Sequence, residues 1–214
     1  MYPPLGPNLR ARVLARMHAH PAADTTVELP EWYFRHWHFG PGGYLTGVGI
    51  RWYDWVVRRA YYQLHEGGAH AAVLNALGEA GCRKVVEVGC GSGRLLRSLV
   101  ASRQFDAVTG LEISPLLVDR ARRAAPGVSV RQSDGTLDAV AEAEADAVVM
   151  AHVVGHVPPA VAGTLLAQAL RLAGDRGRVA LVEHAWHPLD LGRARIRRDE
   201  RFHAGMQRLI VLSN

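Results

Sequence analysis

The sequence predicts a doubly wound α/β fold, and three observations carry that reading. From Lys84 onward, short apolar runs of strand length alternate with stretches of helical period. Glycines and acidic residues fall just after several of those runs. The chain has 214 residues, 49% hydrophobic and 21% charged, which suits one domain with a modest extension at the usual ~100–200 residues per domain. The same composition excludes extended disorder and fibrous repeats.

The elements follow in chain order. Asn8, with Leu9, Val13, Leu14 and Met17 behind it, predicts a short amphipathic helix capped by Asn8 and stopped before Pro21. Asp24 to Pro30 is a linker. Gly40 to Gly49 holds five glycines in ten residues, a loop whose backbone bends at little steric cost. Trp52, Trp55, Val56 and Tyr62 have helical spacing within 51–65. Residues 71–77 continue as a second helix closed by Gly78 and Gly81. Strands are then expected at 84–88, 106–113, 128–132, 146–151 and 178–183, with helices at 94–103, 115–125 and 160–172 between them. The first strand, Lys84-Val-Val-Glu-Val88, is apolar on both faces, as in a sheet covered on both sides. Strands separated by helices require right-handed crossovers and therefore a parallel sheet.

Composition also divides the chain near residue 80. Trp32, Trp37, Trp52 and Trp55 precede that point, together with Tyr33, Tyr44, Tyr53, Tyr61 and Tyr62, whereas the later part is rich in Val, Ala, Leu and Gly. Residues 1–80 are accordingly read as a helical, aromatic-rich cap and lid, and 81–214 as the ligand-binding core.

The net charge of +5 rests on arginine, since Lys84 is the only lysine among 25 basic residues. The arginines are scattered, and a basic balance marks a nucleic-acid surface only where it clusters, so a nucleic-acid partner is not expected. Cys82 and Cys90 are too far apart for a Cys-x-x-Cys pair and form no disulfide framework. Residues 1–7 carry three prolines and no apolar run of a secretory start. No stretch approaches the ~18 apolar residues of a membrane span. A soluble, cytoplasmic protein is expected.

In an open parallel sheet, ligands bind outside the carboxyl ends of the strands. The first strand runs into Glu87-Val-Gly89-Cys90-Gly91-Ser-Gly93-Arg94, a sharp turn that leaves backbone N–H groups at a helix start for a polar ligand. Glu112, followed by Ile113, ends the second strand, where a carboxylate can accept from two vicinal ribose hydroxyls. Ser133-Asp134-Gly135 follows the third, where an acid can take the amino group of an adenine. An ordinary tight turn would explain the glycines, but not acids at three strand ends; together they describe an adenosine site. A dinucleotide fingerprint would need glycine at 94, which is Arg94, and no Gly-Lys-Ser/Thr follows for a Walker loop.

These residues resemble motif I of the class I S-adenosylmethionine-dependent methyltransferases, with Glu112, Asp134 and the segment 146–156 where that family's later motifs fall. The resemblance runs from Arg83 to His184. It implies a Rossmann-like sheet, mostly parallel with an antiparallel last strand, and S-adenosylmethionine as cofactor. It further implies that Gly89, Cys90, Gly91 and Gly93 approach the methionine portion and that Glu87 holds its ammonium. Glu112 and Ile113 would lie at the ribose, Ser133, Asp134 and Gly135 at the adenine, and Ala151 and His152 beside the sulfonium. The family follows its fifth strand with a helix and a β-hairpin. Here 193–197 and 207–212 can form that hairpin around His203-Ala-Gly205, leaving room for only a turn in place of the helix.

Methyl transfer asks mainly for alignment, desolvation and, for some acceptors, a base. His152 and His156 lie just past the fourth strand, and Glu183-His184-Ala-Trp-His187 follows the fifth; each histidine taken singly also reads as a packing or surface residue. His152-x3-His156 lacks the intervening Glu of a zincin, so no metal is expected. Nor does an Asn/Asp-Pro-Pro-aromatic or Pro-Cys sequence suggest nucleobase methylation. The aromatic face of Trp32, Tyr33, Trp37, Tyr44, Tyr53 and Trp55 either packs the cap onto the sheet or encloses an aromatic, cationic or amide-rich acceptor. Tyr44, set among glycines, is the ring expected to close over the ligand. The function expected is methyl transfer to N or O of a small molecule or peptide, as in natural-product tailoring, with a homodimer or partner subunit as one means of closing the pocket. The alternatives are an RNA or protein methyltransferase, which would need Arg10, Arg12, Arg16, Arg51, Arg58 and Arg59 on one face, and a noncatalytic cofactor-binding subunit.

Overall fold

The structure is a computed structural model that describes residues 6–34, 44, 46–57, 63–138, 140–141 and 145–214. Helices are α1 (Pro7–His18), α2 (Gly47–Val57), α3 (Gln63–Glu79), α4 (Arg94–Ser102), α5 (Pro115–Ala124) and α6 (Pro159–Ala173). Strands are β1 (Lys84–Val88), β2 (Ala107–Glu112), β3 (Ser129–Gln132), β4 (Ala147–Ala151), β5 (Arg178–His184), β6 (Arg195–Phe202) and β7 (Gln207–Ser213). Short 3₁₀ turns lie at Glu31–Phe34 and Val154–His156.

The seven strands form one sheet in the order β3-β2-β1-β4-β5-β7-β6. The order reverses between β1 and β4, so the glycine turn after β1 opens at the switch point, where the flanking helices diverge and leave a crevice. Strands β1 to β5 are parallel; β7 runs antiparallel to both β5 and β6. The two faces of the sheet bury separate apolar layers. One packs Leu165, Leu166, Ala169 and Leu172 of α6 against Val148, Met150, Val179, Leu181 and Ile210. The other packs Ala69, Val73 and Leu77 of α3 with Leu95 and Leu99 of α4 against Val149, Ala180, Val182 and Leu209. Burial on both faces is why β4 reads as an unbroken apolar run.

The N-terminal segment packs on α5: Val13 and Met17 of α1 surround Phe34, and Leu116 joins them. The first helix starts two residues earlier than the sequence suggested. Gly6 is the N-cap and Pro7 occupies the first turn, where a missing N–H costs nothing; Asn8 is inside the helix. Gly78 is likewise inside α3. The helix ends at Glu79 and is closed by Gly81, whose positive φ of 73° lets the Cys82 N–H reach Leu77 O at 3.0 Å. Gly47 and Gly49, expected in the glycine loop, begin α2; the Thr46 hydroxyl accepts from the Gly49 N–H at 3.0 Å and caps it. Trp52 and Trp55 are 40% and 66% exposed and are not among the cavity-lining residues. Trp37, Tyr61 and Tyr62 and the side chain of Tyr53 lie outside what the structure describes.

Past β5 the chain crosses 185–194 in turns, without a helix. The hairpin that follows turns through His203, Ala204 and Gly205, all with positive φ. β6 is longer than the sequence suggested, and six of its eight residues are charged. Arg198 pairs with Glu200 and with Glu79 of α3, and Asp199 with Arg208 of β7. No helix among the described residues is long and apolar enough to cross a membrane.

Gly93 ties the site to the core. It enters α4 at φ 79°, and a Cβ there would lie 2.8 Å from the Ala121 backbone of α5. Strain at that φ and a contact with backbone leave no cheap relaxation. Gly93→Ala is expected to lower unfolding stability by about 1–3 kcal/mol, read from urea midpoints; an unchanged midpoint would contradict the account.

Candidate active site

The strand ends converge on a cavity of about 230 Å³. Its glycine turn is built by close approach. Gly89 has φ 66°, and a Cβ there would meet Val153 at 2.7 Å. Gly91, also at positive φ, donates its N–H to Glu112 Oε2 at 3.0 Å, and Glu112 Oε1 accepts from the Ser114 N–H at 2.9 Å. The Cys90 N–H bonds to Leu111 O at 3.0 Å, which stitches the turn to β2. Burial pushes the Glu112 carboxyl above its ordinary range, and the three N–H groups around it, of Ser114, Gly91 and Ile113, work the other way. Glu87 is buried at the end of β1 and lines the same cavity. The Cys90 thiol is inert: burial, then Glu87 and Glu112, hold its pKa well above the ordinary value.

Ser133 and Gly135 line the cavity beyond β3. The Ser133 hydroxyl accepts from the Gly135 N–H at 3.0 Å and donates to Thr136 O at 2.9 Å. Gly135 is needed for another reason: a Cβ there would lie 2.8 Å from the Trp32 ring, so the indole rests on the bare backbone. Asp134 is placed differently from its neighbours. It is exposed, its Oδ1 accepts from the N–H and hydroxyl of Thr136 at 2.9 and 2.7 Å, and it is not among the cavity-lining residues. Gln132, which the sequence did not single out, braces this wall by accepting from the Asp24 N–H at 2.7 Å and donating to Ile113 O at 3.1 Å.

Trp32, Tyr33 and Tyr44 are the aromatic rings of the cap that line the cavity. Burial, then the Glu112 charge, raises the Tyr33 hydroxyl well above its ordinary pKa. Tyr44 is anchored by its backbone oxygen, which accepts from the Ser114 hydroxyl at 3.3 Å. Arg10, one of the arginines a nucleic-acid face would need, is instead paired with Glu31 at 2.7 Å and lies over the Phe34 ring.

The opposite end of the cavity carries histidines. Ala151 and His152 end β4, and His152 takes φ 56° while its N–H bonds to Val182 O at 2.7 Å. Positive φ at a non-glycine residue beside a cavity is strain held in place by its surroundings. The His152 ring is 4.9 Å from His184, whose other face stacks on Trp186 at 4.5 Å. His156 and His187 complete a group of imidazoles whose centre is a carboxylate. Glu183 is fully buried; its Oε1 accepts from the Gly155 N–H at 3.3 Å, and its Oε2 is 3.5 Å from His187 Nδ1. Burial opposes ionisation of Glu183, but His187, His152, His156 and the Gly155 N–H outweigh it and hold its pKa below the ordinary value. Gly155 makes room for this, since a Cβ there would fall 2.0 Å from His187 Nδ1. Burial also keeps the rings neutral, lowering His152 to about 4 and His156 and His184 in the same direction. Among the described residues no group of His, Cys, Asp and Glu is arranged to hold a metal ion.

Two polar lining residues, His70 and Gln207, went unnoticed in the sequence. His70 of α3 places Nδ1 3.0 Å from the Ser98 hydroxyl; burial, then Arg94 and Arg97, lower its pKa to about 4. Gln207 begins β7. Neither lies in a motif, because each reaches the cavity through tertiary packing.

Comparison with known proteins agrees with this geometry. Residues 85–177 match the family described as a methyltransferase domain. A trans-aconitate 2-methyltransferase of Methylobacterium nodulans is 43% identical over 51 residues, 24% of this chain; the match spans only 20% of that protein. Among solved structures, a TehB-like SAM-dependent methyltransferase of Corynebacterium glutamicum aligns with TM-score 0.57 and 20% identity over 74% of this chain and 96% of its own. The N-methyltransferase NodS of Bradyrhizobium japonicum, solved with S-adenosyl-L-homocysteine, aligns with TM-score 0.55 and 16% identity over 70% and 87%. At these identities the structural likeness establishes the fold. Residues 85–177 thus match a methyltransferase domain, and the sheet has the fold of the S-adenosylmethionine-dependent methyltransferases it aligns with.

The neutral histidines set a pH dependence. In an unfolded chain His70 and His152 titrate near ~6.5, whereas in the fold both titrate at about 4. Between those values the unfolded state binds more protons, so stability is full above about pH 6.5 and falls as pH drops toward 4. Urea midpoints measured from pH 7.5 to 4.5 are expected to decline, and His70→Asn and His152→Asn are each expected to flatten the slope. A pH-independent midpoint would overturn the assignment.

Proposed function

We propose that this chain transfers a methyl group from S-adenosylmethionine to nitrogen or oxygen of a small molecule or peptide, as in natural-product tailoring, with residues 1–80 capping the core formed by 81–214. One observation carries the reading: a single cavity runs from Glu87, the glycine turn, Glu112 and Ser133 to His152 and His156, beneath Trp32, Tyr33 and Tyr44. The donor set suits the cofactor. Two buried carboxylates end adjacent strands, and the cradle at Gly89 and Gly135 is space that a Cβ would fill. The names of the relatives, one an N-methyltransferase and one a trans-aconitate 2-methyltransferase, support a small-molecule acceptor.

In this reading Glu87 receives the ammonium, Glu112 the ribose hydroxyls, with Ile113 alongside, and Ser133 and Gly135 the adenine, with Asp134 at the rim. Gly91 releases the Glu112 oxygen it now holds, or shares it with the ribose. When bound, S-adenosylmethionine supplies an activated methyl group on a sulfonium. The chain's part is to align the acceptor, exclude water and take a proton. His152 and His156 remain neutral near pH 7 and so can accept that proton. Glu183 behind them offsets the imidazolium charge that results, because a buried carboxylate acts through a low dielectric. Tyr44 closes the aromatic side.

The reading predicts that S-adenosylmethionine and S-adenosylhomocysteine each raise the melting temperature and NAD does not; a shift with NAD alone would refute it. Glu112→Ala is expected to weaken S-adenosylhomocysteine binding about tenfold or more, the scale of one charge-assisted hydrogen bond, in calorimetric titration. Equal affinity would remove the ribose assignment. Mass spectrometry of candidate metabolites and peptides would report the acceptor as a gain of one methylene.

A further inference from the structure

Gln207 is 1% exposed and lines the cavity, yet neither its Oε1 nor its Nε2 has a hydrogen-bond partner among the described residues. Leaving a buried amide group unsatisfied costs about 1–3 kcal/mol, and groups of this kind in a cavity wall are where a ligand is expected to bond. Its position follows from backbone register. Gln207 opposes His184 at the end of β5, and His152 at the end of β4 bonds through its N–H to Val182 of β5. The ends of β4 and β5 and the start of β7 therefore share one edge of the sheet. Gln207 lies on that edge with the histidines, three strands across from the glycine turn after β1.

Among the described lining residues Ala69, Val73 and Val182 are apolar, and His70 is an imidazole held neutral by burial and by Arg94 and Arg97. A carboxylate set against Gln207 would satisfy Nε2 but face Oε1 with lone pairs. An ammonium would satisfy Oε1 alone. A group that carries an N–H and a C=O side by side satisfies both atoms in a paired, two-bond contact.

We propose that Gln207 is the acceptor-recognition residue and that the methyl acceptor presents a carboxamide or peptide amide to it, its N–H donating to Oε1 and its C=O accepting from Nε2. The inference rests on the methyltransferase reading above and names the acceptor chemistry of that site. His152 and His156, past the end of β4 and one strand beyond β5, then face the atom that receives the methyl group.

The test uses benzamide and benzoate, a matched pair that differs in the N–H donor and the charge, titrated by calorimetry or NMR into the full chain saturated with S-adenosylhomocysteine. Wild type is expected to bind benzamide at least about tenfold more tightly than benzoate, the equivalent of roughly one net hydrogen bond. Gln207→Leu is expected to erase that preference while keeping S-adenosylhomocysteine affinity within twofold, and its melting temperature should equal or exceed that of wild type because an unsatisfied amide is gone. Gln207→Met, which keeps the length of the side chain, repeats the test should the branched residue disturb folding. Failure of S-adenosylhomocysteine to bind wild type would sink the methyltransferase reading itself. If it binds, the amide proposal is overturned by equal or undetectable binding of the two probes, by a preference for benzamide that survives both substitutions, or by loss of S-adenosylhomocysteine affinity in both variants, which would make Gln207 a cofactor ligand.

Discussion

Glu112 holds two turns at once. One carboxylate oxygen accepts from Gly91 in the turn after β1, and the other accepts from Ser114 at the start of α5. The glycine turn thereby keeps its distance from the end of β2, and the crevice at the switch point keeps its width. Ser114 extends the linkage, since its hydroxyl donates to the Tyr44 backbone oxygen. A single buried acid thus connects the two strands that frame the cavity with the aromatic side of the cap. A carboxylate can serve two N–H groups in this way because it offers acceptor sites on both oxygens, whereas an amide in its place would turn one of them into a donor facing a donor.

The histidine end is arranged on a different principle. Around Glu112 the partners are backbone N–H groups fixed by the fold; around Glu183 imidazole side chains join one backbone N–H, that of Gly155, and three of the four rings are kept neutral by burial. Their packing depends on one missing methyl group, at Gly155, which admits His187 beside the carboxylate. The electrostatics of the cavity are therefore asymmetric. The end at the glycine turn is lined by two acids and Arg94, and the far end by neutral imidazoles with one buried charge behind them.

Much of this was legible in the sequence because it depends on local pattern. The five parallel strands, the glycine turn and Glu112 each leave a signature of spacing, and the turn in place of a helix between β5 and β6 was expected once 193–197 and 207–212 were read as the hairpin. The strand ends were fixed by the same periodicity that marks the core. What was missed lies where sequence neighbours are not spatial neighbours. Gln207 and Gln132 are single polar residues at the edges of apolar runs, and only the register of β7 and the fold of the linker give them their roles. Trp52 and Trp55 show the opposite error: helical spacing identifies a face but not whether anything covers it, and both rings are exposed. Asp134 lies in the expected turn, yet its carboxylate is engaged by Thr136, a local competition that residue type alone does not reveal.

The charged last strand has a consequence for the molecule as a colloid. β6 is an edge strand, and an open edge offers unpaired backbone groups on which another chain can template. Here the row of charges from Arg195 to Arg201 and the break in register between Ile196 and Arg198 make that edge a poor platform: an incoming strand would have to strip water from the guanidinium groups and follow an irregular ladder. The same charged strand that pairs with α3 through Arg198 and Glu79 thus also discourages the sheet from continuing into a neighbouring chain.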